Sequence, residues 1–115
     1  MARNRRRLKD DWTAEAESQW DDILQYYTER NGSRTYSRRL KKQMDEAIRI
    51  TCLNPEWGRP TVIPTIRWRL VEYFIVYYTV KTDRILVLAV WDARRNPESF
   101  PYLLEELDHG NGETD

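Results

Sequence analysis

Apolar positions along this chain change their period once, between residues 55 and 65. Before that point they recur every three to four residues. Ala16, Trp20, Ile23, Leu24 and Tyr27 form one stripe, and Tyr36, Leu40, Met44, Ala47, Ile48 and Thr51 form a second. This spacing places each set on one face of a helix and predicts helices over residues 13–30 and 33–53. Thr13 suits the first N-cap, and Glu15 and Glu17 sit at the positive end of the helix dipole. Asn31 and Gly32 end that helix, since both tolerate a left-handed cap. Ser33 or Thr35 caps the second helix. Asn54-Pro55 stops it, because a residue before proline avoids the helical region. The short break between the helices predicts an antiparallel hairpin.

After residue 65 the period falls to two and apolar density rises. Runs at 66–71, 73–80 and 85–91 are rich in Val, Ile, Tyr, Phe and Trp, residues that suit a pleated, half-buried surface. The polar break Lys81-Thr82-Asp83-Arg84 is short enough for a hairpin. In the second run Phe74, Val76, Tyr78 and Val80 share one face, and Tyr73, Ile75, Tyr77 and Thr79 share the other. In the third, strict alternation sets Leu86, Leu88 and Val90 against Ile85, Val87, Ala89 and Trp91. The helical hairpin has one apolar face that must cover something, and this meander is the surface large enough to receive it.

Residues 56–64, broken by Gly58, Pro60 and Pro64, read as a linker, with Trp57 packed over an edge of the core. Residues 5–9 read as a weak first strand, with Leu8 its one apolar side chain. The expected fold class is therefore α+β. Its order is β-α-α-β-β-β, a helical hairpin packed on a small antiparallel sheet of four strands. One domain is expected over residues 1–107, closing in a segment at 99–107 that is either a short last helix or loose until a partner binds, with a disordered acidic tail at 108–115.

Composition narrows the chemistry. Of 115 residues, 40% are hydrophobic and 33% charged, which fits one small core rather than a disordered chain. No apolar run is long enough to span a bilayer and no secretory signal is read, so the expectation is a cytoplasmic protein with no membrane partner. Cys52 is the single cysteine, which excludes an intrachain disulfide and a cysteine-based zinc site. The single histidine, His109, falls in the tail, so neither metal hydrolysis nor a His-activated nucleophile finds its residues. No cofactor is expected.

Formal net charge is zero but comes in blocks. Residues 10–29 carry seven acidic side chains and no basic ones. Residues 30–49 carry seven basic against two acidic, a net +5, and residues 59–95 seven against three, a net +4. Residues 103–115 carry five acidic and no basic ones. This leaves room for a local basic surface, but a non-specific polyanion binder would be more basic as a whole. Arg67, Arg69, Arg94 and Arg95 are the cations best placed for phosphate contact, and Tyr73, Tyr77 or Tyr102 could stack a base. The plain structural alternatives are that Arg67 and Arg69 pair with Glu72 or Asp92, that Arg94 and Arg95 pair with Asp92 or the acidic tail, and that Tyr78 is core.

An ordered set of short motifs carries a resemblance. Asn54-Pro55-Glu56 is followed by Gly58-Arg59, then Arg67, then Phe74-x-Val76-x-Tyr78-x-Val80. Ile85-x-Val87-x-Ala89 follows, and Asp92-x-Arg94-Arg95-Asn96-Pro97 closes the set. Together they resemble the RelE/ParE superfamily of toxins from type II toxin–antitoxin systems, over roughly residues 8–97. The closing Trp-Asp-x-Arg-Arg-Asn-Pro is similar to the ParE-like, plasmid-stabilisation branch. The resemblance implies a bacterial toxin of β-α-α-β-β-β fold, neutralised by a cognate antitoxin whose C-terminal segment wraps around it.

Targets within the superfamily differ. ParE-like members are associated with inhibition of DNA gyrase, and RelE-like members cut mRNA, many of them on the ribosome. RelE-type enzymes place lysines along the first meander strand and an arginine early in the next. Here the first of these strands has arginines flanking Trp68 and no lysine, and Ile75 holds the second position. The leading expectation is thus a ParE-like toxin that acts by binding, with Arg67, Arg69, Tyr73, Tyr77, Asp92, Arg94 and Arg95 facing its target or partner. The alternative is a metal-free mRNA endonuclease with Arg67, Arg69, Arg94, Arg95 and Tyr102 as its catalytic group. A non-toxic interaction module of the same fold is the third reading.

Overall fold

The computed structural model describes residues 7–95. The first strand, β1, spans Lys9–Trp12 and leads through Thr13 into α1, Ala14–Asn31. Thr13 caps α1 with its side-chain oxygen, which accepts from the Ala16 amide at 3.0 Å. Gly32 closes α1 in the left-handed conformation, at φ 68°. The second helix, α2, spans Thr35–Leu53. Its N-cap is Arg34, which makes no side-chain capping bond, in place of the Ser33 or Thr35 expected from sequence.

The expected linker contains a single 3-10 turn, Pro55–Trp57, and a two-residue strand, β2, at Arg59–Pro60. Three longer strands follow: β3, Ile66–Val71; β4, Phe74–Val80; and β5, Arg84–Asp92. The sheet runs β1-β5-β4-β3-β2. The α+β class and the helical hairpin on the sheet are as expected, and two details of the sheet are corrected. It has five strands, because Arg59 pairs with Trp68 and Pro60 with Arg67. It is mixed, because β1 runs parallel to β5, from Lys9 opposite Arg84 to Trp12 opposite Val87. The parallel pair needs a long crossover, which the two helices and the meander supply. The first strand also lies later in the chain than residues 5–9. The expected closing segment at 99–107, the tail at 108–115 and Tyr102 lie outside the described residues.

The helices cover one face of the sheet. Trp20, Ile23 and Tyr27 of α1 and Leu40, Met44 and Ile48 of α2 pack against it. Phe74, Val76 and Tyr78 of β4 meet them, with Ile85, Val87 and Val90 of β5. Cys52 is part of this core and is a free thiol. The opposite face holds a smaller cluster, Ile75, Tyr77 and Ala89, flanked by Ile66, Trp68, Leu88 and Trp91. Trp57 stays 58% exposed rather than packing over the core edge, and the Arg69 guanidinium lies 5.8 Å from its ring centre.

Strict alternation fails in β5. Tyr77 pairs with Ala89 but Tyr78 pairs with Val87, so Leu88 is an extra residue in the ladder, a β-bulge. Ile85 and Val87 face the helices before it, and Val90 does so after it. The cap residue Thr13 holds the bulge. Its amide donates to the Val87 carbonyl at 3.0 Å and its hydroxyl to the Leu88 carbonyl at 3.3 Å. Gln19 accepts the Val90 amide at 2.8 Å. The bulge also turns Asp92, two residues beyond Val90, toward the helices.

The glycine of the Pro55–Arg59 segment has a packing reason. Gly58 donates its amide to the Tyr78 hydroxyl at 2.9 Å, and that hydroxyl donates to the Pro55 carbonyl at 2.6 Å. A Cβ at position 58 would run into the Tyr78 ring. The other central tyrosine is the opposite case, since the Tyr77 hydroxyl is buried with no hydrogen-bond partner among the described residues. Chemical denaturation should separate the two. Tyr78→Phe, which strands the Gly58 amide, should cost about 2 kcal/mol, and Tyr77→Phe should gain about 1 kcal/mol. Gly58→Ala should cost about 2 kcal/mol through overpacking.

Candidate functional site

The end of β5, the α1–α2 corner and the β3–β4 turn converge on one cleft of about 720 Å³. Its organising group is the Asp92 carboxylate, only 3% exposed. One oxygen accepts the Tyr27 hydroxyl at 2.9 Å. The other accepts the backbone amides of Arg94 and Arg95, at 3.1 and 3.2 Å. The Ala93 amide donates to the Tyr73 carbonyl at 3.0 Å. The chain leaving β5 is thereby pinned in a tight turn that presents two consecutive arginines.

Tyrosines hold those arginines. The Arg94 guanidinium lies 4.3 Å from the centre of the Tyr73 ring and 5.2 Å from that of Tyr27, and donates to the Tyr36 hydroxyl at 3.0 Å. The Arg95 guanidinium lies 3.8 Å over Tyr26. Arg30 donates to the Tyr26 hydroxyl at 3.1 Å, and Arg39 stacks on Tyr36 at 5.1 Å. Tyr27 makes edge contacts with Tyr26, Tyr36 and Phe74, which fix its ring. Hydrogen bonds with Tyr27 and Tyr36 raise the Arg94 pKa further, so this guanidinium is a permanent cation. Burial raises the Tyr27 pKa, Arg94 opposes that, and the Asp92 carboxylate adds to it.

Tyr73 is brought in at some cost. Glu72, before it in the β3–β4 turn, has φ 57°, the left-handed region that a residue with a Cβ avoids by about 1–2 kcal/mol. Such strain collects at functional positions.

The residues proposed from sequence do not form one group. Arg94, Arg95 and Tyr73 share the cleft. Arg67 lies elsewhere, donating to the Gly58 carbonyl at 2.8 Å and to that of Glu56 at 3.3 Å. Arg69 donates to the Thr51 hydroxyl at 3.1 Å. Thr51 and Tyr36, the anchors of Arg69 and Arg94, stand at opposite ends of α2, about 22 Å apart along its axis at 1.5 Å per residue. Neither Arg67 nor Arg69 pairs with Glu72 or Asp92.

Two further residues need correction. Tyr77, expected on the contact surface, is 0% exposed and has no free ring face. Asp92 is buried and shapes the arginine turn instead of reaching a partner. Sequence reasoning passed over Arg30, Arg39, Tyr26 and Tyr36 as contact groups, because the helical period assigns Tyr27 and Tyr36 to a core stripe and leaves the arginines as solvated charge.

The profile of the family described as "ParE toxin of type II toxin-antitoxin system, parDE" matches residues 11–97, from β1 through the arginine turn. The chain belongs to this family. A solved chain from "Chromosomal ParDE TA system from P. aeruginosa" superposes on this ParE-family fold with a TM-score of 0.64 and 22% identity, over 74% of this chain and 95% of that one. That likeness speaks for the fold. No curated protein matches the sequence. Among the described residues no helix is long and apolar enough to cross a membrane.

Asp92→Ala should cost about 3 kcal/mol in denaturant unfolding, since it strands the Tyr27 hydroxyl and two amides. Alkaline pH gives an independent check. Burial raises the pKa values of Tyr27, Tyr77 and Tyr78, Tyr77 to about 12, from an ordinary 10.0. Below that ordinary value both folded and unfolded chains keep these phenols neutral. Above it the unfolded chain ionises first, so stability should fall progressively between pH 10 and about 12. Phenolate absorbance should show three late-titrating tyrosines in the folded chain and none in denaturant.

Proposed function

We propose that this ParE-family toxin arrests bacterial growth by binding a target such as DNA gyrase, and that a cognate antitoxin neutralises it. The family match over residues 11–97 carries the toxin reading. The antitoxin partner is supported by the similar chain, which comes from a ParDE system. A target such as gyrase would place its action in the cytoplasm.

Binding rather than cleavage is supported by the arginine–tyrosine cleft. Metal-free RNA cleavage needs a base for the 2′-hydroxyl and an acid for the leaving oxygen, together with cations for the phosphate. The cleft offers permanent cations and tyrosines already engaged with them, and its one carboxylate lining residue, Glu72, lies in the strained turn. The Arg67, Arg69, Arg94, Arg95 and Tyr102 group of the endonuclease alternative is divided between the two ends of α2 among its described members. A surface of stacked arginines suits protein recognition, where Arg and Tyr are enriched at the contacts that carry affinity.

The test is induction of the chain in a bacterial host, with and without the small gene expected beside it. Growth should stop, and replication should fail while translation continues. Co-expression of the neighbouring gene should restore growth, as should Arg94→Ala with Arg95→Ala. Translation failing first, with new mRNA ends by primer extension, would establish the endonuclease instead. No growth defect at full expression would leave the non-toxic module.

A further inference from the structure

We infer that the sheet face turned away from the helices is the seat of this chain's own segment 100–107, which docks through Phe100, Leu103, Leu104 and Leu107. The inference goes beyond the toxin reading and draws nothing from the arginine cleft.

Burial on that face is the first observation. Ile75, Tyr77 and Ala89 are at most 6% exposed, as deep as the core under the helices. Both helices pack on the other side and all five strands belong to the sheet, so no described α-helix or strand lies over these residues. Side chains stand roughly perpendicular to a sheet. Neighbours such as Trp68 and Ala89, which pair with Tyr77, therefore wall its sides and leave its tip to whatever lies above. That tip, the hydroxyl, is buried with no hydrogen-bond partner among the described residues. A cover that shuts out water there is apolar in character. Desolvation alone raises the Tyr77 phenol to about 12, in agreement.

The second observation is the chain that follows. Phe100, Leu103, Leu104 and Leu107 fall at i, i+3, i+4 and i+7, the spacing of one helix face. They are the only Phe, Leu, Ile or Val residues after Arg95. Such a stripe has to be buried against another layer, and the helix side of the sheet is already taken. Residues 1–6 hold three arginines and no comparable stripe. The family match ends at residue 97, so segment 100–107 lies beyond the residues matched to the family.

Reach, size and charge agree. Ala93, just past β5, packs against the far-face cluster. Five residues from Arg95 to Phe100 reach up to about 17 Å, more than the ~10 Å between stacked layers. Eight helical residues extend about 12 Å. The face runs about 13 Å along β4 from Ile75 to Thr79. Glu105 and Glu106 flank the stripe, and the face carries an exposed cation at its edge, Arg59, stacked on Trp68 at 5.5 Å. The tether holds the segment at high effective concentration, which favours it over the same segment of a second copy. Docked there, it keeps a Trp-bearing face from becoming an exposed apolar patch of the kind that drives association.

The test is NMR of the full isotope-labelled chain carrying Cys52→Ala and Glu106→Cys, with a nitroxide on the introduced thiol. The same sample with the nitroxide reduced is the reference, so the fold of the variant is read from its own spectrum. The indole signals of Trp68 and Trp91 should weaken at least twofold more than those of Trp12 and Trp20, which lie on the helix side. Equal weakening of the two pairs, or stronger weakening of Trp12 and Trp20, overturns the inference. Adding Leu103→Asp with Leu104→Asp should abolish the difference, and a difference that survives overturns docking through the stripe. A mixture of nitroxide chain without isotope and isotope-labelled chain without nitroxide reads the competing occupant. Weakening of Trp68 and Trp91 in that mixture assigns the face to a second copy and overturns the own-chain seat, and its absence supports that seat. None of these readouts needs growth arrest, so failure of the toxin reading and failure of this inference are distinguishable.

Discussion

The buried Asp92 carboxylate is the constraint on which the rest of the site depends. A charge removed from water has to be compensated by hydrogen bonds at good geometry, and each oxygen here has its donors. Those donors come from α1 and from the turn after β5. One side chain thereby joins a helix to a loop that no sheet ladder holds. Its inward direction comes from the bulge at Leu88. Unbroken alternation from Val87 would send Asp92 to the far face of the sheet, away from Tyr27. Thr13 and Gln19 hold that extra residue from α1, so the start of the helix sets the parity of β5 and its last turn meets the result.

Among the described residues the cleft arginines have no ion-pair partner. Most ionic contacts among the described residues are exposed pairs between sequence neighbours, of small energetic value. The arginines of the cleft are held instead by tyrosine rings and hydroxyls, which fix direction without cancelling charge. Glu72 adds backbone strain in the turn that delivers Tyr73. A turn that accepts strain to deliver Tyr73 is arranged for something other than its own stability.

The two halves of the closing family motif divide along the same line. Asp92 is structural, and Arg94 and Arg95 are presented to solvent by it. The Asn54–Arg59 segment is also structural. Gly58 lets the Tyr78 ring close over the end of α2, and the carbonyls of Glu56 and Gly58 hold Arg67. Arg67 and Arg69 therefore fasten the sheet edge to the helix terminus, and the cleft at the other end of α2 is built from a different set of cations.

Hydrophobic period was sufficient to read both helices, the three long strands, the α+β class and most of the core. Each of these rests on local repetition of apolar side chains, which a linear pattern records. Thr13 and Gly32 were legible as caps for the same reason, and the arginine pair was legible as a motif. The parallel placement of β1, the pairing of Arg59-Pro60, the bulge at Leu88 and the burial of Tyr77 and Asp92 were not. All of them depend on which distant segment lies alongside, and an extra residue in a strand leaves no mark on a stretch as uniformly apolar as Ile85–Trp91. Tyr26 and Tyr36 lie ten residues apart on different helices, and Arg95 and Arg94 reach them only after the chain has crossed the sheet. By itself the sequence determined the elements and the residue types available for chemistry. The tertiary structure decided which arginines stand together, because that grouping is set by packing between segments remote in the chain.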